Sequence, residues 1–212
     1  MVERRKPQIA PRPAHMEGKP NDDFTLCAAL YHDSIIHYEK SRIHEENGDQ
    51  CAAERYKRSA LLAAFSFFEA QINQVAFGYA QAHSGELSQI EKDVLEEKET
   101  VLDDQGNIVR KDKFYRTDAR FSFLAYFLSG QDFDRGGELW QRFCESRELR
   151  DTWTHPKPPF DTWSLTLEKV RMAIVSIHDM LVRLSKMMDC DPQLWLRPID
   201  EVLDDIRTQS AR

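Results

Sequence analysis

The chain predicts an all-α fold, and three observations carry that expectation. Proline is absent from Asn21 to His155, and a long stretch without proline favours long helices. Apolar residues between Leu61 and Tyr79 recur at spacings of three and four, the period of one helix face. Near the C-terminus Leu167, Val170, Ile174, Ile177, Leu181, Leu184 and Met188 keep the same alternation. That series reads either as a bundle core or as a dimer seam. With 212 residues, of which 41% are hydrophobic, the chain is long enough for one domain with appendages.

The elements follow in order. Pro7, Pro11, Pro13 and Pro20 mark residues 1–20 as a flexible tail. Asn21 or Asp22 caps a first helix reaching about Glu46, with Phe24, Cys27, Tyr31, Ile35 and Tyr38 as its apolar stripe. Asn47-Gly48-Asp49 is a turn. The second helix spans about Cys51 to His83 and forms the core, through Leu61, Phe65, Phe68, Ile72, Val75 and Tyr79. Leu87 to Lys98 reads as an acidic helix, and Val101 to Val109 as a small hairpin or loop around Gly106. Residues 84–105 hold eight acids and two lysines, whereas residues 109–120 hold five Lys/Arg and two Asp. This insertion, about 84–116, is either solvated surface or a device that grips a partner. A helix at about Asp118 to Leu128 ends at Gly130. Another runs from Glu138 to about Thr154 and is stopped by Pro156, Pro158 and Pro159. The last long helix covers about Leu165 to Met188, and Ile199 to Arg207 forms a short final one. The domain organisation expected is a tail at 1–20, a helical domain at 21–190, and a short helix with a tail at 191–212.

Charge and composition exclude several classes. The net charge is −7, which argues against broad affinity for duplex nucleic acid but leaves room for a small basic site. Mean hydropathy is −0.61, no apolar run approaches the roughly 18 residues of a membrane span, and residues 1–20 lack an apolar leader core. A cytoplasmic protein without membrane partners is the expectation. Cys27, Cys51, Cys144 and Cys190 form no CxxC pair and read as reduced, mostly buried thiols. Neither a metal nor a cofactor is expected. Asp33 and His37 are four apart on the first helix, beside His32 and His44, but no third ligand accompanies them.

The stretch Arg147-Glu148-Leu149-Arg150-Asp151-Thr152-Trp153-Thr154-His155-Pro156 carries the chemistry. On an unbroken helix Arg150 and His155 point about 140° apart. Pro156 pushes His155 out of the α region, so its ring is free to swing toward Arg150. Asp151 pairs with Arg147 or orients His155, each four residues away. A fixed guanidinium neutralises a phosphate, and an imidazole moves a proton near neutral pH. Trp140, Phe143 and Cys144 continue into Arg147, Arg150, Asp151 and Thr154, so a buried face carries charge inward. Alternatively Leu139, Leu149 and Trp153 face the core and the arginines are exposed. Arg171 to His178 is a second, mid-helix match to the spacing and reads as structural. Glu69 and Asn73 interrupt the apolar second helix one turn apart. They either orient Arg147 or Arg150 or meet water at the bundle end.

Leu149-Arg150-Asp151-Thr152-Trp153-Thr154-His155-Pro156-Lys157 resembles the signature of HEPN domains, the higher eukaryotes and prokaryotes nucleotide-binding family. Phe68-Glu69-Ala70-Gln71-Ile72-Asn73 and the long closing helix are similar to bacterial members. The resemblance implies an all-α bundle, usually a homodimer, in which two motifs meet and cleave RNA without metal. It assigns Arg150 and His155 as catalytic, with Asp151 at the polar position; Arg147, Lys157, Glu69 and Asn73 are the candidate binding or orienting residues beside them. A neutralising protein partner belongs to the defence or toxin setting of such nucleases. Other members of the family bind nucleotide, RNA or protein without cutting, and that reading stands beside the first.

Overall fold

The computed structural model describes residues 26–155, 165–189, 197 and 199–210. The tail at 1–20, the cap at Asn21 or Asp22, Phe24, Cys190 and the prolines after His155 lie outside the described residues. Among the described residues the fold is all-α apart from one hairpin. Its order is α1 (Leu26–Glu46), α2 (Gln50–Ala82), α3 (Gln89–Leu95), β1 (Lys98–Leu102), β2 (Ile108–Asp112), α4 (Thr117–Ser129), α5 (Glu138–Thr154), α6 (Leu167–Met187) and α7 (Ile199–Ser210). These elements form two compact units. One is Glu69–Phe133, and the other combines α1 and the first part of α2 with α5, α6 and α7.

The five-helix unit is built on the expected apolar stripes. Leu61, Phe67, Phe68, Phe143, Ile174, Ile177, Leu181 and Leu184 are fully or nearly fully buried. Helix α6 packs on α5 and on α1, and α1 packs on α7. The rings of Phe65 and Phe68 lie 6.2 and 4.9 Å from that of Phe143, and Tyr31 lies 5.0 Å from Phe67. Ser146 and Ser176, both fully buried, bring their hydroxyls within 3.2 Å of each other, so α5 and α6 touch through small side chains. The heptads of α6 are thus core within a single chain, which resolves the choice between core and dimer seam. On α1 the stripe differs from expectation: Tyr38 is half-buried and Glu39 is buried in its place. The reason is remote in sequence, because Arg207 of α7 reaches Glu39 at 3.3 Å beside Arg42 at 2.8 Å.

The smaller unit takes residues 69–82 of α2, with α3, the hairpin and α4. Ile72, Leu95, Phe121, Leu124 and Phe133 form its core. Helix α3 is shorter than the helix expected from Leu87 to Lys98. Ser88 and Glu91 close a capping box at its start, and Glu97 at a φ of 51° turns the chain into β1. Strands β1 and β2 pair antiparallel, with Lys98 opposite Asp112, Thr100 opposite Arg110 and Leu102 opposite Ile108. The hairpin is longer than expected. In its loop Asp103 accepts from the amides of Gln105 and Asn107, and Gly106 sits at a φ of 79°, where a side chain is strained. Asp93 fastens α3 to the hairpin by accepting from Gln89, Thr100 and Arg110 at 2.7–3.0 Å. Those three bonds hold its carboxyl below the usual carboxylate range.

An 18-residue window of α2 reaches a mean hydropathy of 1.2, and 56% of it is buried inside the protein. That pattern fits a core helix.

Candidate functional site

Helix α5 ends where the sequence places its break. Thr154 is its last residue, and His155 caps it at φ −130° and ψ 64°, outside the α region as expected before proline. The His155 amide still donates to the Asp151 carbonyl at 2.9 Å, and the side chain is exposed. The imidazole therefore stands at the last turn of α5, released from the helical path but tied to it by the backbone. Thr154 returns its hydroxyl to the Arg150 carbonyl at 2.9 Å, which tightens the same turn.

Of the two faces proposed for α5, the one bearing Trp140 and Phe143 is buried in its first half, while its motif end is half-buried and Asp151 is exposed. Trp140 and Phe143 are buried and Cys144 is half-buried. Arg147 is half-buried, and the Arg150 side chain keeps 23% of its surface. The Arg150 guanidinium lies 5.2 Å from the centre of the Phe65 ring, and its Nε is 3.2 Å from the Asp151 carboxylate. A cation over an aromatic face gains about 1 kcal/mol or more as water is removed. Phe65, read from sequence as core, is also the platform for the motif arginine. Asp151, expected to pair with Arg147 or orient His155, instead gives its carboxylate to Arg150 and its carbonyl to His155. Leu139, Leu149 and Trp153 are half-buried.

A second guanidinium escaped the sequence reading. Arg58 of α2 lies 5.9 Å over the Trp153 ring, and its Nε donates to the Glu54 carbonyl at 3.4 Å. Arg58 precedes Phe65 by seven residues, two turns along one face of α2. Two cation–aromatic rungs thus join the helices, one for Arg150 and one at the Trp153 turn, where α5 ends. No local pattern marks this, because the partners are about ninety residues apart in sequence.

Glu69 and Asn73 belong to the smaller unit. Glu69 accepts from the Thr117 hydroxyl at 3.1 Å, and Asn73 accepts from Arg120. Arg120, buried to 7% exposure, also donates to the Leu95 carbonyl at 2.9 Å and meets Glu97 at 3.0 Å. Burial pulls its pKa down from the ordinary value and Glu97 opposes that. These residues line a cleft of about 100 Å³ together with Ile72, Phe114 and Tyr115. Lys157 lies outside the described residues.

The remaining expected residues take structural places. The His37 and His44 rings both stack on Tyr56, at 5.8 and 5.2 Å. His178 stacks on Tyr31 and meets Asp179 at 3.3 Å, while Arg171 is exposed. Cys27 is buried and Cys144 half-buried, but Cys51, expected to be mostly buried with them, is exposed. It sits in the first turn of α2, ahead of the core-facing stripe.

Comparison with protein-family models, with curated proteins and with solved structures finds no match.

Proposed function

We propose that this chain is a metal-independent endoribonuclease of the defence or toxin type, a cytoplasmic homodimer resembling HEPN domains. The observation that supports this most is the split between two groups on one helix end. Arg150 is fixed over Phe65 and against Asp151, whereas His155 is turned out of the helix and exposed. Electrostatic stabilisation requires a cation that is already in place. Proton transfer requires a group with access to the reacting atoms.

In this reading the 2′-hydroxyl of the RNA attacks the adjacent phosphorus. One His155 takes the hydroxyl proton. The bond from phosphorus to the 5′-oxygen breaks, and His155 of the partner subunit protonates that leaving oxygen. The products are a 2′,3′-cyclic phosphate and a 5′-hydroxyl. Arg150 holds the charge that builds on the phosphoryl oxygens, where its planar fork suits two oxygens better than lysine would. A neutralising protein that covers the motif would keep such an enzyme silent.

The test is RNA incubated with the purified protein in EDTA, beside His155→Ala and Arg150→Ala. The expected result is cleavage by the wild type and a loss on the order of 10² to 10⁴ in rate for His155→Ala. Cleavage that survives either substitution at the wild-type rate removes the motif from the mechanism. A folded dimer that cuts no RNA points instead to a noncatalytic module binding nucleotide, RNA or a protein partner.

A further inference from the structure

We infer that Arg58 forms a second phosphate subsite, one that holds a phosphodiester flanking the scissile one. This inference rests on the ribonuclease reading and adds to it a residue outside the motif. Arg58 is exposed on α2. Its Nε is tied back to the Glu54 carbonyl at 3.4 Å, and its guanidinium carbon lies 5.9 Å from the centre of the Trp153 ring. The Nε bond leaves the two terminal nitrogens of the fork available to a ligand on this exposed residue. Among the described residues those nitrogens meet no carboxylate. The nearest acids in sequence and along α5 have cations of their own: Glu54 meets Lys57 at 3.0 Å and Asp151 meets Arg150 at 3.2 Å. Among the described residues, no carboxylate neutralises the charge of Arg58.

Its position favours the same ligand as the motif. The Phe65–Arg150 rung and the Arg58–Trp153 rung run antiparallel. Moving from Arg150 to Trp153 along α5 moves from Phe65 to Arg58 along α2, toward the turn from which His155 emerges. The Arg58 and Phe65 backbones are about 10 Å apart along the helix axis, a spacing that suits successive phosphates of one strand. In this proposal a strand meets both cations with successive phosphates. Arg55, one turn earlier and also exposed, has its Nε tied to the Cys51 carbonyl at 3.3 Å and continues the basic edge. Pre-ordered arginines lose less freedom on binding than loose lysines. The ligand class is a single-stranded RNA backbone, read by charge and not by sequence.

The test uses the full chain, with a 2′-O-methyl RNA oligonucleotide that resists cleavage for binding and an unmodified one for kinetics. The proteins are wild type, Arg58→Leu, Arg58→Lys and, as a control for net charge, Arg171→Ala at an exposed position of α6. Leucine keeps an apolar side chain against Trp153, and thermal melting checks its fold. Arg58→Leu is expected to weaken binding about tenfold at low salt. It should also make the slope of log affinity against log salt shallower by roughly 0.7, the value of one phosphate on a single strand. KM should rise while kcat moves less than twofold, with Arg58→Lys intermediate and Arg171→Ala at wild type. A folded Arg58→Leu with wild-type affinity and salt slope overturns the subsite, even where His155→Ala abolishes cleavage and the ribonuclease reading stands. A wild type that neither binds nor cuts RNA overturns both.

Discussion

Glu39 is a carboxylate in the position of an apolar stripe residue, with 4% of its surface exposed. It is tolerated there because Arg42 and Arg207 both bond to it, and those bonds hold its pKa below the usual value. Removing the charge takes the buried carboxylate from both cations, leaving Arg42 to Glu46 and Arg207 to Asp204. Glu39→Gln should cost about 2 kcal/mol, in the range for hydrogen bonds to charged groups, read as a lower urea midpoint at neutral pH. His37 works in the opposite sense. Burial pushes its imidazole below the ordinary 6.5, Lys40 adds to that and Asp33 opposes it. The unfolded chain then binds the proton more readily, so the contribution is full above about pH 6.5 and falls as pH drops through that value. The urea midpoint should decline between about pH 7.5 and 5.5, and His37→Phe should flatten that decline. Glu39 itself, with a depressed folded pKa, loses its contribution only at more acid pH. Both residues were visible in the sequence, yet neither role was. The stacking of His37 on Tyr56 and the approach of Arg207 to Glu39 are long-range outcomes of packing, and an i,i+4 pattern does not encode them.

At the scale of elements the local signals were legible. Gly130 ends α4 with a φ of 71°, as a left-handed C-cap should, and Glu138 to Thr154 was delimited by Gly136-Gly137 and Pro156. Gly130→Ala should lower the melting temperature through about 1 kcal/mol, since alanine resists positive φ. Less legible was the stretch from Leu87 to Asp112. Its acids read as a helix, but Asp93 recruits Thr100 and Arg110 across the turn, and the strand begins at Lys98. Ser88→Ala removes half of the capping box on α3 and should cost about 1 kcal/mol. Amide exchange should rise in α3 before it rises in α6. Faster exchange confined to α6 would contradict that order. The motif helix was readable in its limits and in the burial of Trp140 and Phe143. The aromatic rungs beneath Arg150 and beside Trp153 were not, because they are made by residues of α2 chosen by the tertiary fold.

For the whole molecule, the apolar series of α6 is consumed inside its own chain, so a homodimer has to be built on other surfaces. If the dimer assembles the proposed cleft, dilution below its dissociation constant should remove RNA cleavage and leave helicity intact. A measured rate per chain that stays constant through dissociation would argue for an autonomous site. The buried hydroxyl pair of Ser146 and Ser176 has a consequence of another kind. Where two helices meet through their smallest side chains, the distance between their axes is set by volume and no slack remains. The helix carrying Arg150 and His155 is therefore mounted on a spacer only a hydroxymethyl thick. Growth of that spacer by a few methyl groups, as in Ser176→Leu, would displace α5 as a body. The proposed chemistry at its end would then be detuned from deep within the core, by a residue outside the motif.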